Sequence, residues 1–207
     1  MTEELKELYR GKEIYTISNG FDPEKVNMAP VDLTPKFTIT YTGQIYIGKQ
    51  DPSKILIALN NLISKKIINS GDIEVRFYGP KNFWLKKEIE KYGLSSIVKQ
   101  YGIVPREIAL KKQWESQLLL LLNWEDVKVK GAYTGKIFEY LAAQRPIIAT
   151  GGSGSVVVEE LLSKTKSGVY GSTIEEIEEY LKNFYLEYKQ KSKVSFNGDR
   201  ERINKYS

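Results

Sequence analysis

The sequence predicts a doubly wound α/β domain, with a Rossmann-like parallel sheet covered by helices on both faces. After the first forty residues, short β-rich segments alternate with helical segments and give six β-α units without an internal repeat. The run of five leucines from Leu118 to Leu122 is apolar throughout, as in a strand buried on both faces of a parallel sheet. In such folds ligands bind at the carboxyl ends of the strands.

Turn residues and helix signals place the elements in order. Gly43 ends the first strand, and Asp51 followed by Pro52 predicts the start of the helix that follows. Thr173 and Glu176 form a capping box that opens the last long helix. The predicted strands are 37–42, 73–78, 97–101, 118–122, 146–150 and 168–170, and further helices are predicted at 84–92, from about 105, at 135–143 and at 156–162.

The composition excludes several kinds of active site. The 207 residues include no His and no Cys, so a Ser-His-Asp triad, a His- or Cys-ligated metal site and a disulfide framework are impossible within this chain. The 31 basic residues are interspersed with 26 acidic ones, for a net charge of +5, so we expect no nucleic-acid partner. The apolar runs are too short to span a bilayer, and we expect a cytoplasmic location.

Two charged residues, Lys136 and Glu139, lie one turn apart near the start of the predicted helix 135–143. A lysine in the first turn faces the positive end of the helix dipole, which costs about 0.3–1 kcal/mol. An anion bound there would reverse this effect, because backbone N–H groups and the ammonium would converge on it. A surface ion pair between the two side chains is the alternative. The predicted core stripe of this helix consists of Ile137, Phe138, Leu141 and Ala142.

The segment Gly151 to Ser155, with the sequence GGSGS, joins a predicted strand to a predicted helix. It lacks the third glycine of the dinucleotide-binding fingerprint, because Val157 occupies that position, and it is not followed by the Gly-Lys-Ser/Thr of a P-loop. The sequence is therefore compatible with two alternatives for this segment: a flexible turn, and a backbone cradle for phosphate or sugar hydroxyls.

The order of the motifs along the chain is more informative than any one of them. The strand ends Gly43-Gln44, Tyr78-Gly79-Pro80 and YGIVP at 101–105 are followed by GKIFEYLAA at 135–143 and RPIIA at 145–149. In this order they resemble the C-terminal, nucleotide-sugar-binding domain of retaining glycosyltransferases of the GT-B fold, family 4-like. The resemblance spans about residues 14–190, including ISNGFD at 17–22, and is most specific in KIFEYLAA and the PIIA that follows.

The resemblance implies roles for individual residues in a donor nucleotide-sugar site. Glu139 corresponds to the acidic residue that accepts hydrogen bonds from the ribose hydroxyls, and Lys136 with the Gly135 backbone would face the phosphates. Val104 and its neighbours would lie along the base. The site would be completed by Thr134, by the turn of Gly43 and Gln44, and by Lys49 as an additional diphosphate contact.

One position departs from the family pattern. The family often has a second glutamate eight residues before the first, in contact with the donor sugar, and here that position is Gly131. Sugar recognition must therefore use other groups, and the motifs identify no catalytic residue.

The resemblance also implies an activity. We expect one half of a GT-B architecture, the donor-binding domain of a metal-independent, retaining, hexosyl-type glycosyltransferase of polysaccharide biosynthesis. It would use a nucleoside-diphosphate sugar as co-substrate and no cofactor. No Asp-x-Asp pair, which would hold a metal, follows a predicted strand. The alternatives are a non-catalytic nucleotide-binding or interaction domain, and half of a GT-B sugar-nucleotide epimerase.

The expected domain organisation has three parts. Residues 1–35 would be a remnant or linker from a missing N-terminal, acceptor-binding domain, residues 36–190 the nucleotide-sugar-binding domain, and residues 191–207 the start of a truncated C-terminal crossover segment. We therefore expect the isolated chain to bind a donor without transferring sugar. The basic tail is expected to be solvated, and a peripheral contact with an anionic membrane is the alternative.

Overall fold

The computed structural model describes residues 2–15, 17, 19–23, 31–124, 134–152 and 156–207. Three strands and the helix 135–143 have the predicted bounds. The strands predicted at 146–150 and 168–170 differ by one residue at one end, and the strand predicted at 97–101 is shifted by one residue. The elements are α1 (Thr2–Leu8), β1 (Phe37–Thr42), α2 (Ser53–Ser64), β2 (Ile73–Tyr78), α3 (Phe83–Lys91), β3 (Val98–Gly102), α4 (Arg106–Trp114), β4 (Leu118–Leu122), α5 (Gly135–Ala143), β5 (Ile147–Thr150), α6 (Val156–Thr165), β6 (Gly168–Gly171), α7 (Ile174–Lys191) and α8 (Arg200–Ile203), with a 3-10 turn at Asn204–Tyr206.

The six strands form one parallel sheet in the order β3-β2-β1-β4-β5-β6. Phe37 of β1 is in register with Ile73 of β2, and Ile39 with Leu118 of β4. The direction of strand addition reverses between β1 and β4, so the carboxyl ends of these two strands flank the crevice where doubly wound sheets bind ligands. The predicted fold class is confirmed.

Burial on both faces explains why β4 is apolar throughout. Leu118, Leu120 and Leu122 pack in the cluster that includes α2, α3 and α7. Leu119 and Leu121 pack on the opposite face, in the cluster with α5, α6 and α8. All five side chains are at most 1% exposed, as expected for a central parallel strand.

Local side-chain caps set where several helices begin. Asn82 accepts hydrogen bonds from the backbone N–H groups of Trp84 and Leu85, so α3 starts one residue earlier than predicted. The capping box of Thr173 and Glu176 at the start of α7 is confirmed.

Segments on either side of residues 36–190 also contact the sheet domain. Phe21 and Tyr206 pack against the core cluster that includes α5 and α6, and the backbone N–H of Phe21 donates to the carbonyl of Tyr206 at 2.8 Å. Val194 and Ile203 are 2% and 3% exposed. The described residues between positions 13 and 18, which are 13–15 and 17, are not in a strand. The domain boundaries at 36 and 190 stay a prediction. Among the described residues, no helix is both long and apolar enough to cross a membrane.

Candidate functional site

The turns after β1 and β2 pack backbone against backbone at the carboxyl edge of the sheet. Gly79 has φ +153°, and a Cβ at this position would collide with the carbonyl oxygen of Gly43. Gly43 has φ +114°, and its N–H donates to the carbonyl of Tyr78 at 2.7 Å. Only glycine permits this approach without strain. The turn after β1 therefore leaves room beside the sheet edge for a side chain from another element.

The side chain of Lys136 occupies that room. A Cβ on Gly43 would lie 3.0 Å from the Lys136 Nζ, and the Nζ itself lies 3.7 Å from the centre of the Tyr41 ring. Within the described part of the chain, no carboxylate lies within the 4.0 Å ion-pair distance of this ammonium. Burial lowers the pKa of Lys136 to about 7, although the nearby charge of Glu139 acts to raise it.

Backbone geometry at the start of α5 adds further positive potential around Lys136. Thr134 is the N-cap, with extended backbone angles and no side-chain cap hydrogen bond, and Gly135 is the exposed first residue of the helix. The first backbone N–H groups of a helix have no partner within it. The ammonium and the helix N-terminus together provide positive charge that suits an anion, and anion binding at Lys136 stays a prediction.

Glu139 lies one turn further along α5 and pairs with a residue of α4. Its carboxylate oxygens lie 3.3 Å from the Arg106 Nη2 and 3.5 Å from the Gln113 Nε2. The side chain of Arg106 is 70% exposed, and that of Glu139 is 36% exposed. The ion pair of Glu139 is thus with Arg106 rather than with Lys136. Because it is solvent-exposed, this pair is weak and a ligand can replace it.

A buried hydrogen-bond network fixes α4 and α5 against the end of β1. The Nε2 of Gln113, which is fully buried, donates to the Thr42 hydroxyl at 2.9 Å. The Tyr140 hydroxyl accepts from the Thr42 backbone N–H at 3.1 Å. Tyr140 is fully buried and Ala142 only half-buried, so the predicted core stripe of α5 was wrong at Ala142. The network holds Glu139 and Lys136 in fixed positions relative to the sheet.

The loop after β1 carries Gln44 and Lys49 to a pocket next to this cluster. The carbonyl of Gln44 accepts a hydrogen bond from the Tyr41 hydroxyl at 2.8 Å. The Nζ of Lys49 lies 4.5 Å from the centre of the Trp124 ring. Both residues line a pocket of about 420 Å³ between the ends of β1, β2 and β4.

Val104 lies in the loop between β3 and α4 and is not among the residues that line this pocket. It is half-buried, and its neighbour Ile103 is 78% exposed. The loop reaches the charged cluster through Arg106, which begins α4 two residues later. Gly131 and the segment 153–155 of the glycine-rich turn lie outside the described residues. In the parts of the chain that are described, no group of three or more carboxylate, His or Cys side chains is arranged to hold a metal ion.

Sequence reasoning missed several residues that shape the site. Arg106 pairs with Glu139, Tyr41 packs under Lys136, and Trp124 packs under Lys49. Long-range contacts of this kind leave no local pattern. Gln113 could have been found, because it lies three residues after the buried Leu110, on the core-facing side of a helix.

The sequence matches no family model and no curated protein, but its fold matches solved structures. One is a structure of a TarM variant from S. aureus in complex with fondaparinux, α-GlcNAc-glycerol and UDP, with a TM-score of 0.62 and 16% identity over 100% of this chain and 39% of that chain. Anabaena HepE in complex with UDP and glucose matches with a TM-score of 0.64 and 18% identity over 91% of this chain and 51% of that chain.

A third match is the apo form of the lipopolysaccharide outer core galactosyltransferase WaaB, with a TM-score of 0.67 and 14% identity over 99% of this chain and 55% of that chain. The chain therefore spans 39–55% of the length of these three proteins. It has the Rossmann-like fold of one half of a GT-B glycosyltransferase, similar to the C-terminal half, as the sequence resemblance implied. At these identities the likeness is one of fold.

Proposed function

We propose that this chain is the donor-binding domain of a metal-independent, retaining glycosyltransferase that transfers a hexose from a nucleoside-diphosphate sugar. One observation carries the proposal. The half-buried ammonium of Lys136 has no carboxylate partner among the described residues and lies at the N-terminus of α5, beside the Gly43 turn, where β1 and β4 end. A dianionic diphosphate satisfies the ammonium, the backbone N–H groups and the helix dipole together.

Each step of the proposed binding uses a specific group of this chain. Lys136 and the N–H groups at Gly135 bind the diphosphate, with Lys49 as a second cation, and Thr134 and the Gly43-Gln44 turn complete its surroundings. The Glu139 carboxylate gives up its ion pair with Arg106 and accepts hydrogen bonds from the ribose hydroxyls. The segment at Val104 lies along the base. When the bond between the anomeric carbon and the diphosphate breaks, negative charge builds on the leaving phosphate, where Lys136 stabilises it.

The ligands bound in the matched structures support a uridine nucleotide as the first donor to test. The TarM and HepE structures contain UDP, and another HepE structure contains UDP-glucose. We propose a nucleoside-diphosphate sugar as co-substrate and no cofactor.

The acceptor is proposed to bind to a separate N-terminal domain. The charges of the C-terminal tail support a solvated surface rather than a membrane contact, because Lys189, Lys191 and Arg202 each form an ion pair with a carboxylate of this chain.

The experiment that tests the proposal measures by calorimetry the affinity for UDP and for 2′,3′-dideoxy-UDP. The same comparison is then made with GDP and ADP and their dideoxy analogues. The wild type should prefer the ribose form. Glu139→Gln should remove most of that preference, because a hydrogen bond to a charged group contributes about 1.5–3 kcal/mol, or about tenfold to a hundredfold in affinity. Glu107→Gln, an exposed carboxylate of the neighbouring helix α4, is the control and should change nothing.

Two results would contradict the proposal. If none of the nucleoside diphosphates binds, the chain is better explained as a non-catalytic interaction domain. If they bind with the same ribose preference in Glu139→Gln as in the wild type, then Glu139 is not the ribose ligand.

A further inference from the structure

A surface pocket of about 420 Å³ lies beside the proposed phosphate site, and nothing in the proposed roles accounts for its aromatic wall. It is formed by the loop after β1, the turn after β2 and the second residue after β4. Its volume is within the range of pockets that bind small molecules. It shares Gln44 and Lys49 with the proposed donor site.

Two aromatic rings form one wall of this pocket. The ring centres of Tyr46 and Trp124 are 5.6 Å apart, with a tilt of 43°. Tyr46 is 46% exposed, and Trp124 is half-buried. A ring that remains this accessible after packing against its neighbour can still take a ligand against its surface.

The loop that carries Tyr46 is fixed before any ligand arrives. Gln50 is 4% exposed, its Oε1 accepts from the Tyr46 backbone N–H at 3.2 Å, and its Nε2 donates to the carbonyl of Leu122 at 2.7 Å. These bonds connect the loop after β1 to the end of β4, the strand that leads into Trp124. The aromatic wall is therefore held in place by buried hydrogen bonds.

The polar groups of the pocket are amides and cations. Gln44, Asn82, Lys49 and Lys81 supply them, and no carboxylate is found among the described residues that line the pocket. Aromatic faces pack against the C–H surface of a sugar ring, amides bond its hydroxyls, and ammonium groups bind the phosphate attached to it. A glycosyl diphosphate offers a partner to each of these groups.

We propose that Tyr46 and Trp124 bind the sugar ring of the donor, with the Gln44 and Asn82 amides facing its hydroxyls. The inference rests on the proposed function and specifies how the sugar is recognised where Gly131 replaces the family's carboxylate. The pocket adjoins the phosphate end of the site. No residue of the loop 103–105, where the base is expected, lines it.

Phosphate binding makes the ring of Trp124 available to the sugar. In the ligand-free chain the Lys49 ammonium lies over this ring, 4.5 Å from its centre. An exposed cation–π contact is weaker than a charge-assisted hydrogen bond to phosphate. Lys49 therefore moves from the ring to the diphosphate, and the vacated face takes the sugar.

The test measures two dissociation constants for each protein, one for a nucleoside diphosphate and one for its sugar conjugate. The probes are UDP, GDP and ADP with their glucose conjugates, and UDP-galactose and UDP-N-acetylglucosamine. Trp124→Leu and Tyr46→Leu should weaken binding of the conjugate about three- to tenfold more than binding of the free diphosphate. Trp124→Phe should restore most of the loss, because it keeps an aromatic face.

Phe83→Leu is the matched control. Phe83 is a 68% exposed ring that also has a lysine over it, Lys87 at 4.8 Å, but it does not line the pocket. This substitution should leave both constants unchanged. Melting temperatures of all variants verify that they fold.

If the Trp124 and Tyr46 variants lose affinity equally for the conjugate and the free diphosphate, the inference is overturned and the proposed function stands. The same conclusion follows if they lose no affinity for either ligand. If the wild type binds none of the probes, the proposed function fails and this inference with it. An NMR measurement on the wild type needs no variant: sugar-ring protons should shift upfield on binding, and unshifted protons would refute stacking.

Discussion

Replacing Lys136 with methionine tests the central feature of the site, a lysine held over an aromatic ring without a carboxylate partner among the described residues. Methionine keeps most of the length and removes the charge. The pKa of the wild-type side chain is about 7, compared with an ordinary value of 10.5. A difference of this size corresponds to at most about 5 kcal/mol of cost for keeping the ammonium charged in the folded chain. Water and the Tyr41 ring recover part of it, so we expect a gain of about 1–3 kcal/mol in Lys136→Met at pH 6.

The sign of this effect depends on pH. A base with a lowered pKa holds its proton in the unfolded chain but loses it in the folded chain between about pH 7 and pH 10.5. The wild type therefore regains stability as the pH rises through this window. The advantage of Lys136→Met in the ligand-free state should be largest below pH 7 and should shrink above it. With about 2–4 °C per kcal/mol for a domain of this size, thermal melts at pH 6 and pH 9 would detect the change.

Binding of a diphosphate should favour the wild type over Lys136→Met. A diphosphate favours the ammonium form of Lys136 and raises its pKa, so the wild type should take up a proton on binding above pH 7. Affinity for UDP should then fall by up to about tenfold per pH unit above pH 7, where the phosphates of the nucleotide are already largely ionised. Lys136→Met should bind UDP more weakly than the wild type at pH 7, with a much smaller loss for uridine, and should show a flat profile.

Calorimetry in two buffers of different ionisation enthalpy at pH 7.5 measures the proton uptake directly. Lys86→Met, which removes an exposed lysine paired with Glu90 at 3.8 Å, is the control. Absence of proton uptake by the wild type, or the same pH profile in both proteins, would refute the assignment of Lys136 to the phosphate. An equal loss of UDP and uridine would show that Lys136 acts on the structure instead.

Three further predictions concern the turns, metal ions and catalysis. Gly79→Ala should lower the melting temperature strongly, because its Cβ would collide with the Gly43 carbonyl at a positive φ. Gly48→Ala is the control: a Cβ there meets open space, and the substitution should lower the free energy of unfolding by only about 1 kcal/mol. UDP affinity should be the same with and without EDTA, since Lys136 and the helix N-terminus neutralise the phosphates, and a collapse on adding EDTA would contradict this. The 207-residue chain alone should bind donor but transfer no sugar to any acceptor in a radiolabel assay, because catalysis requires donor and acceptor in one geometry, and any transfer would locate the catalytic groups here.

The fold could be predicted from the sequence because its signals are local. The strands 37–42, 73–78 and 118–122 are short apolar or β-branched runs that end at or near turn residues, and the structure has the same bounds. The start of α3 was misplaced by one residue because the cap belongs to Asn82, whose side chain bonds forward to Trp84. An asparagine before a helix has several possible roles, so its position alone did not settle the boundary.

The site could be predicted only in part. The placement of Lys136 at the N-terminus of α5 follows from local sequence, and the structure confirms it. Its contact with Tyr41 and the pairing of Glu139 with Arg106 depend on how β1, α4 and α5 meet in space. The sequence separations are 95 and 33 residues, and no pattern within a short window encodes such meetings.

The position of both charged groups on α5 has a consequence for how nucleotide preference can change. Lys136 and Glu139 are three residues apart on one rigid helix, so about 4.5 Å of helical rise separates the proposed phosphate and ribose contacts. This spacing matches every 5′-diphosphate nucleoside alike, whatever its base. The proposed base contact lies instead in the loop 103–105, outside the buried network of Thr42, Gln113 and Tyr140. Substitutions in that short loop can therefore exchange one base for another while the ribose and phosphate contacts, and the stability of the domain, remain as they are.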